Sequence, residues 1–391
     1  MKRNFLLIKL QLKCDTNWFD ARFLEPMNYT LDEFDVVTED GYILQLFHVK
    51  RLDLVPEGPV VYLQHGLMSS SADFCITGNR SLVATLVESG MDVWLGNNRG
   101  SFYSTKHVNS SVNPHTFWKF SWHEIGLYDI PAFINFILNY TGQPSLHYIG
   151  HSQGSTVFFV MTSLLPEFNK KVESMQGLAP AVFMSHVKSP FIRVLARFVN
   201  LLSLTWRTLH LDEVLAGDSL FNRIAKMLCQ SNDLSLEICS NIMCIVGGCN
   251  IEQISEPVVP LVLKLSPAPA SVYQIFHFAQ EINSGRFCRY DFGKKTNLVR
   301  YGKSQPPSYD LDNVKVPVTL YTAVSDLFVS LEDVEILGSY LVGLEEIVVV
   351  PDKKFGHMDF CWGEKARDLV YESILETILR HADKENLDSK L

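Results

Sequence analysis

The chain is short of the features that would send it to other classes. Among its 391 residues there is no run of about 18 uncharged apolar residues, so no transmembrane helix is expected. Cationic residues are outnumbered, 34 Lys and Arg against 43 Asp and Glu, for a net charge of −9. No basic stretch or nucleic-acid motif occurs, so nucleic acid is not an expected partner. No internal repeat or low-complexity tract stands out, which sets aside repeat architectures. Histidine is missing from residues 229–249, where Cys229, Cys239, Cys244 and Cys249 crowd together, and no zinc site is expected there. A local disulfide between Cys229 and Cys239 is the reading for an oxidising compartment, with others of the eight cysteines read as buried thiols.

A clean signal peptide is lacking too. Met1-Lys2-Arg3-Asn4 has the basic start and Phe5-Leu6-Leu7-Ile8 opens an apolar stretch, but Lys9 and Lys13 interrupt it and no small-residue cleavage site follows. Residues 1–24 therefore read as a degraded or truncated signal region. Four N-x-S/T sequons, at Asn28, Asn79, Asn109 and Asn139, point the other way, toward a glycosylated chain of the secretory pathway.

What is plentiful is core material: 47% hydrophobic residues, 12% aromatic, with 25 Phe. That suits one large domain, or a core domain carrying an insert. Residues 34–50 alternate polar and apolar around Asp40-Gly41 and predict a β-hairpin. Pro59 to Gln64 is a continuous apolar run, the mark of a buried central strand. Helix is expected over 79–89, strand over 91–95, helix over 117–140, strand over 146–149, helix over 156–165 and strand near 175–181. Such alternation predicts an α/β fold with a mostly parallel central sheet. The pattern breaks at about residue 183. Phe191, Val194, Leu195, Phe198, Leu201 and Leu202 recur at helical spacing, and further helices are expected near 211–229 and 233–246. It resumes with strand 317–321, helix 331–341, strand 346–350 and helix 364–380. The organisation expected is an N-terminal segment 1–24, a first core part 25–182, a helical cap or lid insert 183–305 and a second core part 306–391.

The sharpest signal is Gly150-His151-Ser152-Gln153-Gly154, a G-x-S-x-G pentapeptide between a short strand and a helix. In a nucleophile elbow a strand turns abruptly into a helix and lifts one serine hydroxyl above the sheet. Gly150 and Gly154 are needed because backbone passes close on both sides. A bare pentapeptide arises by chance in about 10% of chains this size, so its partners decide. Serine needs a base, and the base an orienting acid, in the chain order Ser, Asp, His for this fold. Asp326 follows the strand ending near Tyr321-Thr322; a loop Asp is more often a turn residue, and its position after the right strand reverses those odds. Asp310, Asp312 and Asp333 are rivals with poorer placement. His357 lies after the last strand, where the base belongs. The oxyanion donors expected are the backbone N–H groups of Gln153 and of Leu67, in the loop after the early strand. His65 comes too early in the order to be the base and reads as shaping that loop; Asp359 reads as structural.

Leu63-Gln64-His65-Gly66-Leu67, Asp92 to Asn97, Asn98-Arg99-Gly100, Phe117-Trp118, Tyr128 to Ala132 and the elbow together resemble the acidic lipases, the animal family that includes gastric and lysosomal acid lipases. The resemblance runs from about residue 25 to 375, and within the family the insect lipases are the most similar. It implies an α/β-hydrolase core with a helical cap and lid. It implies hydrolysis of carboxylic esters of neutral lipids, acylglycerols or sterol esters, at a lipid–water interface or droplet surface, in an extracellular or lysosomal setting. No metal or organic cofactor is implied. The family's site falls on Ser152, Asp326 and His357 with Leu67 and Gln153, and its cap disulfide on Cys229 and Cys239. The chain departs from the family at Ala323-Val324-Ser325, where glycines are usual before the acid, and at Gly356, where Asn usually precedes the histidine. Neither removes a catalytic side chain. Two alternatives stand beside the lipase: a short-chain carboxylesterase, and a non-catalytic lipid-binding protein on the same scaffold. Epoxide hydrolases and dehalogenases carry Asp at the elbow, which Ser152 excludes.

Overall fold

The computed structural model describes residues 28–53, 56–199, 212–214, 248, 250–255 and 258–388. The expected signal region at 1–24 and the cysteines Cys229 and Cys239 lie outside these residues. So do the helices expected over 211–229 and 233–246, except at residues 212–214, where Glu213–Val214 form strand rather than helix.

The opening hairpin pairs β1 (Tyr29–Val37) with β2 (Tyr42–Arg51) in antiparallel register, Val37 opposite Ile43. Gly41, at φ +93°, makes the turn in a backbone region that L side chains avoid. Inward of it lie β4 (Asp92–Asn97), β3 (Val60–Gln64), β6 (Leu146–His151), β7 (Val172–Leu178), β10 (Val318–Thr322) and β11 (Leu344–Val349), in that order. β2 meets β4 antiparallel, and from β4 outward every pairing is parallel. A two-residue strand, β5 (Lys106–His107), pairs β2 at the side and gave no signal in the sequence.

The strand sequences explain the layering. All five residues of β3, all six of β6 and all five of β10 are buried, as strands covered on both faces must be. Alternate side chains feed two cores: Tyr62, Trp94 and Tyr148 pack with Phe158 and Phe133 on one face, while Val61, Leu63, Leu95 and Ile149 pack with Val83 and Leu86 on the other. β11 is half-exposed and closes the edge. Helices α1 (Leu82–Glu88), α2 (Ile130–Thr141) and α3 (Gln153–Leu164) fill the crossovers. The single helix expected over 117–140 is instead broken: a turn at Pro114–Phe117, then a capped start at Ser121, a π-helical turn at Ile125–Asp129 and α2. Ser121 imposes the break. Its side chain and that of Glu124 form a capping box that starts a new helix there.

Between β7 and β10 the described elements are α4 (Pro190–Arg197), β8 (Glu213–Val214), α5 (Val259–Leu265), β9 (Ala270–Ser271), α6 (Val272–Ser284) and α7 (Lys294–Tyr301), mostly helical. Beyond β10 come α8 (Leu331–Tyr340) and the C-terminal helix α9 (Glu372–Asp388). Helix α6 turns Gln274, His277 and Glu281 inward. His277 stacks on Trp122 with ring centroids 3.5 Å apart. Glu281 is fully buried, and neither carboxyl oxygen finds a hydrogen-bond partner among the described residues. Burial, with Asp333 adding to it, pushes its pKa well above the ordinary carboxylate value. A carboxyl whose folded pKa is raised adds stability that is complete below its unfolded pKa and is lost as pH rises through the folded one. Glu281→Gln is therefore expected to raise stability at neutral pH by about 1–3 kcal/mol and to do little in acid. Thermal melts of both proteins at about pH 4.5 and about pH 7.5 check this; a pH-independent gap would contradict it.

Candidate active site

In an open parallel sheet the crevice for ligands opens where successive connections leave in opposite directions. From β3 the chain moves to β4 on one side and then returns to β6 on the other, so the crevice lies beyond the carboxyl ends of β3 and β6. The loop bearing Leu67 and the serine of the pentapeptide emerge at those two ends.

Ser152 sits at φ 53° and ψ −118°, a strained backbone for any residue with a side chain. The two glycines make that turn possible. A Cβ at Gly154 would lie 2.1 Å from the carbonyl oxygen of Gln64, and one at Gly150 would lie 2.7 Å from the backbone of Gly154. The turn is pinned where the Ser152 N–H donates to Leu178 O at 2.8 Å, across to β7.

The histidine and the aspartate arrive from the other half of the chain. Ser152 Oγ lies 2.9 Å from His357 Nε2, and His357 Nδ1 lies 2.8 Å from Asp326 Oδ2. The carboxylate is itself held: Asp326 Oδ1 accepts from the N–H groups of Phe328 and Val329 at 2.8 and 2.9 Å. With Asp326 accepting at Nδ1–H, Nε2 keeps its lone pair for the serine proton. Asp326 and His357 are buried, and the Phe328 ring stands edge-on to the imidazole at 5.1 Å.

Gln153 opens α3, so its backbone N–H has no acceptor inside the helix and faces the crevice end. The β3 loop approaches the same point, since a Cβ on Gly66 would come within 3.2 Å of Ser152 Cβ. Leu67 follows directly. The rivals lie elsewhere. Asp310 caps a short turn at Leu311–Asn313, Asp312 is exposed, and Asp333 is bonded to His186 and Ser330. His65 bridges the loop, with Nδ1 2.9 Å from Gly66 O and Nε2 accepting from the Asn98 N–H at 3.3 Å; burial pushes its pKa down to about 4, so it is neutral. Asp359 accepts from the N–H of Gly356 at 2.7 Å and of Asn250 at 3.0 Å, joining the histidine loop to the segment above it; burial pushes it up to about 6.

Residues between β7 and β10 reach the site. Met358 N–H donates to Gly248 O at 3.3 Å, and Ala268 N–H to Met68 O at 2.7 Å. Gln274 Nε2 donates to Gln153 Oε1 at 3.2 Å, while its own Oε1 accepts from the N–H of Ser271. Gln274 thus ties the start of α6 to the residue after the serine, a link the sequence did not signal. Among the described residues no three His, Cys, Asp or Glu side chains gather as metal ligands. All four sequon asparagines, Asn28, Asn79, Asn109 and Asn139, are exposed.

A nine-stranded, mostly parallel sheet with a serine, histidine and aspartate linked above its switch point defines an α/β-hydrolase. Residues 59–217 match the family described as the alpha/beta hydrolase fold, and residues 21–78 match the partial alpha/beta-hydrolase lipase region. Within that class the chain belongs to the acidic lipase family, with the gastric and lysosomal acid lipases. It is 37% identical to Lipase 1 of Drosophila melanogaster, over 95% of this chain and 82% of that one. Human gastric triacylglycerol lipase is 34% identical, with 92% and 90% covered. The lysosomal acid lipase/cholesteryl ester hydrolase of Macaca fascicularis is 32% identical, with 94% and 92% covered. The fold alone is shared with an esterase from Exiguobacterium antarcticum, at a TM-score of 0.51, 14% identity and 89% and 99% coverage.

Proposed function

We propose that the protein is a serine lipase that hydrolyses carboxylic esters of neutral lipids through an acyl-enzyme on Ser152. The observation that carries this reading is the continuous chain from Ser152 Oγ through His357 to Asp326, at 2.9 and 2.8 Å. His357 takes the serine proton as Oγ attacks the ester carbonyl. The negative charge that forms on the carbonyl oxygen is met by the N–H groups of Leu67 and Gln153. His357 then protonates the departing alcohol. Water, deprotonated by the same imidazole, attacks the acyl-enzyme and releases the fatty acid. Asp326 holds the ring in the tautomer this requires and stabilises the imidazolium.

Residues 183–305 are proposed as the cap. Helix α4 supports a role at a lipid surface. It seats Ala196 inward, yet Phe191, Val194, Leu195 and Phe198 are 59%, 56%, 41% and 53% exposed. Arg193 and Arg197 stand among them. An apolar face with cations at its margin suits the boundary of a lipid–water interface or droplet. No described helix is long and apolar enough to cross a membrane. The secretory sequons and the gastric and lysosomal relatives support an extracellular or lysosomal site of action.

The substrate class is tested with a series of esters from acetyl to oleoyl, as triacylglycerol, sterol ester and a water-soluble ester. Long-chain neutral esters are expected to be the better substrates, with turnover rising when the substrate forms droplets. Turnover confined to short soluble esters would make the protein a carboxylesterase. Ester binding without turnover by the folded protein would make it a lipid carrier.

A further inference from the structure

His151, the residue before the serine, has no role in the mechanism above, yet it touches the base. It is the last residue of β6 and is buried at 2% exposure. Its Nε2 lies 3.0 Å from the carbonyl oxygen of His357, and the two rings are 4.9 Å apart at 44°. A carbonyl oxygen can only accept, so Nε2 of His151 must carry the hydrogen. On the other side, a Cβ on Gly66 would sit 3.4 Å from His151 Nδ1, so the ring also lies against the loop that leads to Leu67. Phe360, from the turn after His357, covers it at 6.5 Å.

Two adjacent residues therefore grip one histidine at both ends. Ser152 meets the tip of the His357 side chain, and His151 meets its backbone. We propose that His151 is a positioning residue: a neutral imidazole that fixes the main chain of His357 to the elbow and so sets the distance between nucleophile and base. This rests on the serine-hydrolase reading of Ser152 and His357.

The geometry explains why a histidine suits the place. The donor must reach across from a strand end to a loop carbonyl, two ring bonds beyond Cγ. It must also stay uncharged, because His357 becomes a cation when it accepts the serine proton, 4.9 Å away. Burial, and then His357 itself, push the His151 pKa down to about 3, which keeps it a neutral donor through that step. A misplacement of the base by about 1 Å costs about 100-fold in rate.

The test is the rate at which a fluorophosphonate probe labels Ser152, which reads nucleophile activation without depending on the lipid bound. Wild type, Ser152→Ala, His151→Phe, His151→Gln and His151→Asn are compared, each with its melting temperature and its kcat and KM on one soluble ester. Gln places an amide N–H near the Nε2 position; Asn reaches only as far as Nδ1. His151→Phe and His151→Asn are expected to label about 100-fold more slowly, with kcat reduced and KM little changed, and His151→Gln to recover most of the loss. If His151→Phe does not fold, the Gln and Asn pair carries the comparison. Labelling at the wild-type rate in Phe or Asn, or equal rates in Gln and Asn, overturns the positioning role. Failure of wild type to label would instead overturn the serine-hydrolase reading itself.

Discussion

Ser152→Ala is expected to lose about 10⁴- to 10⁶-fold in kcat on any ester the wild type turns over, while its melting curve stays close to wild type. The hydroxyl contributes to turnover and little to packing, since it projects into the crevice and, among the described residues, is hydrogen-bonded to His357 alone. Alanine keeps the Cβ, so the strain of the backbone at φ 53° is unchanged and little change in stability follows. His357→Ala is expected to fall by a similar factor, because serine and histidine act as one unit and neither works alone. Combining the two should cost scarcely more than either. Asp326→Asn should be milder on binding but still slow, since an amide offers its N–H where the imidazole needs an acceptor and favours the wrong tautomer. Turnover measurements on purified, folded variants decide the matter. Near-normal turnover by Ser152→Ala would remove it as nucleophile, and a harmless Asp326→Asn would move the acid to a neighbour.

The largest loss of stability is expected from a residue far from this chemistry. Arg99 is 1% exposed and carries a charge into the core. It is held on every side. Nε and the backbone N–H donate to Asp129 at 2.8 and 2.9 Å, and the two terminal nitrogens donate to Asp40 at 2.6 and 2.8 Å. The guanidinium lies 3.9 Å over the ring of Tyr42. This joins the hairpin turn, the loop after β4 and the start of α2. Burial pushes the Asp129 carboxyl up to about 6 against the pull of Arg99, so the aspartate is already costly to keep charged. Arg99→Ala leaves it buried and unpaired, which costs about 3–5 kcal/mol. The double change Arg99→Met with Asp129→Leu should cost less than the single one, because the fully buried carboxylate leaves with the cation and the Asp40 that remains is partly exposed to solvent. Urea unfolding of the three proteins gives the comparison; a single variant within about 0.5 kcal/mol of wild type would show that the cluster is ornamental to stability.

How much of this was readable beforehand follows from what sequence signals encode. The central strands β3, β6 and β10 are continuous apolar runs, and a strand covered on both faces must be written that way. Ser152, Asp326 and His357 could be picked out because each stands just past such a strand, where a side chain reaches the crevice. The capping box at Ser121 was legible in principle as Ser-x-x-Glu, but the surrounding aromatic run masked it. β5 is two residues long and has no pattern to read. Contacts such as Gln274 with Gln153, or His151 with the backbone of His357, join positions far apart in the chain. No periodicity connects them, and only the folded geometry brings them together.

The order in which the parts of the site occur along the chain has a consequence for synthesis. The ribosome delivers the loop of Leu67 and the elbow of Ser152 first. Asp326 and His357 belong to segments that follow β10 and β11, and β10 can pair with β7, and β11 with β10, only after most of the chain has emerged. Until then the serine has neither base nor acid, and its hydroxyl is no more reactive than any other. A nascent chain built this way has no armed nucleophile until its last strands are in place.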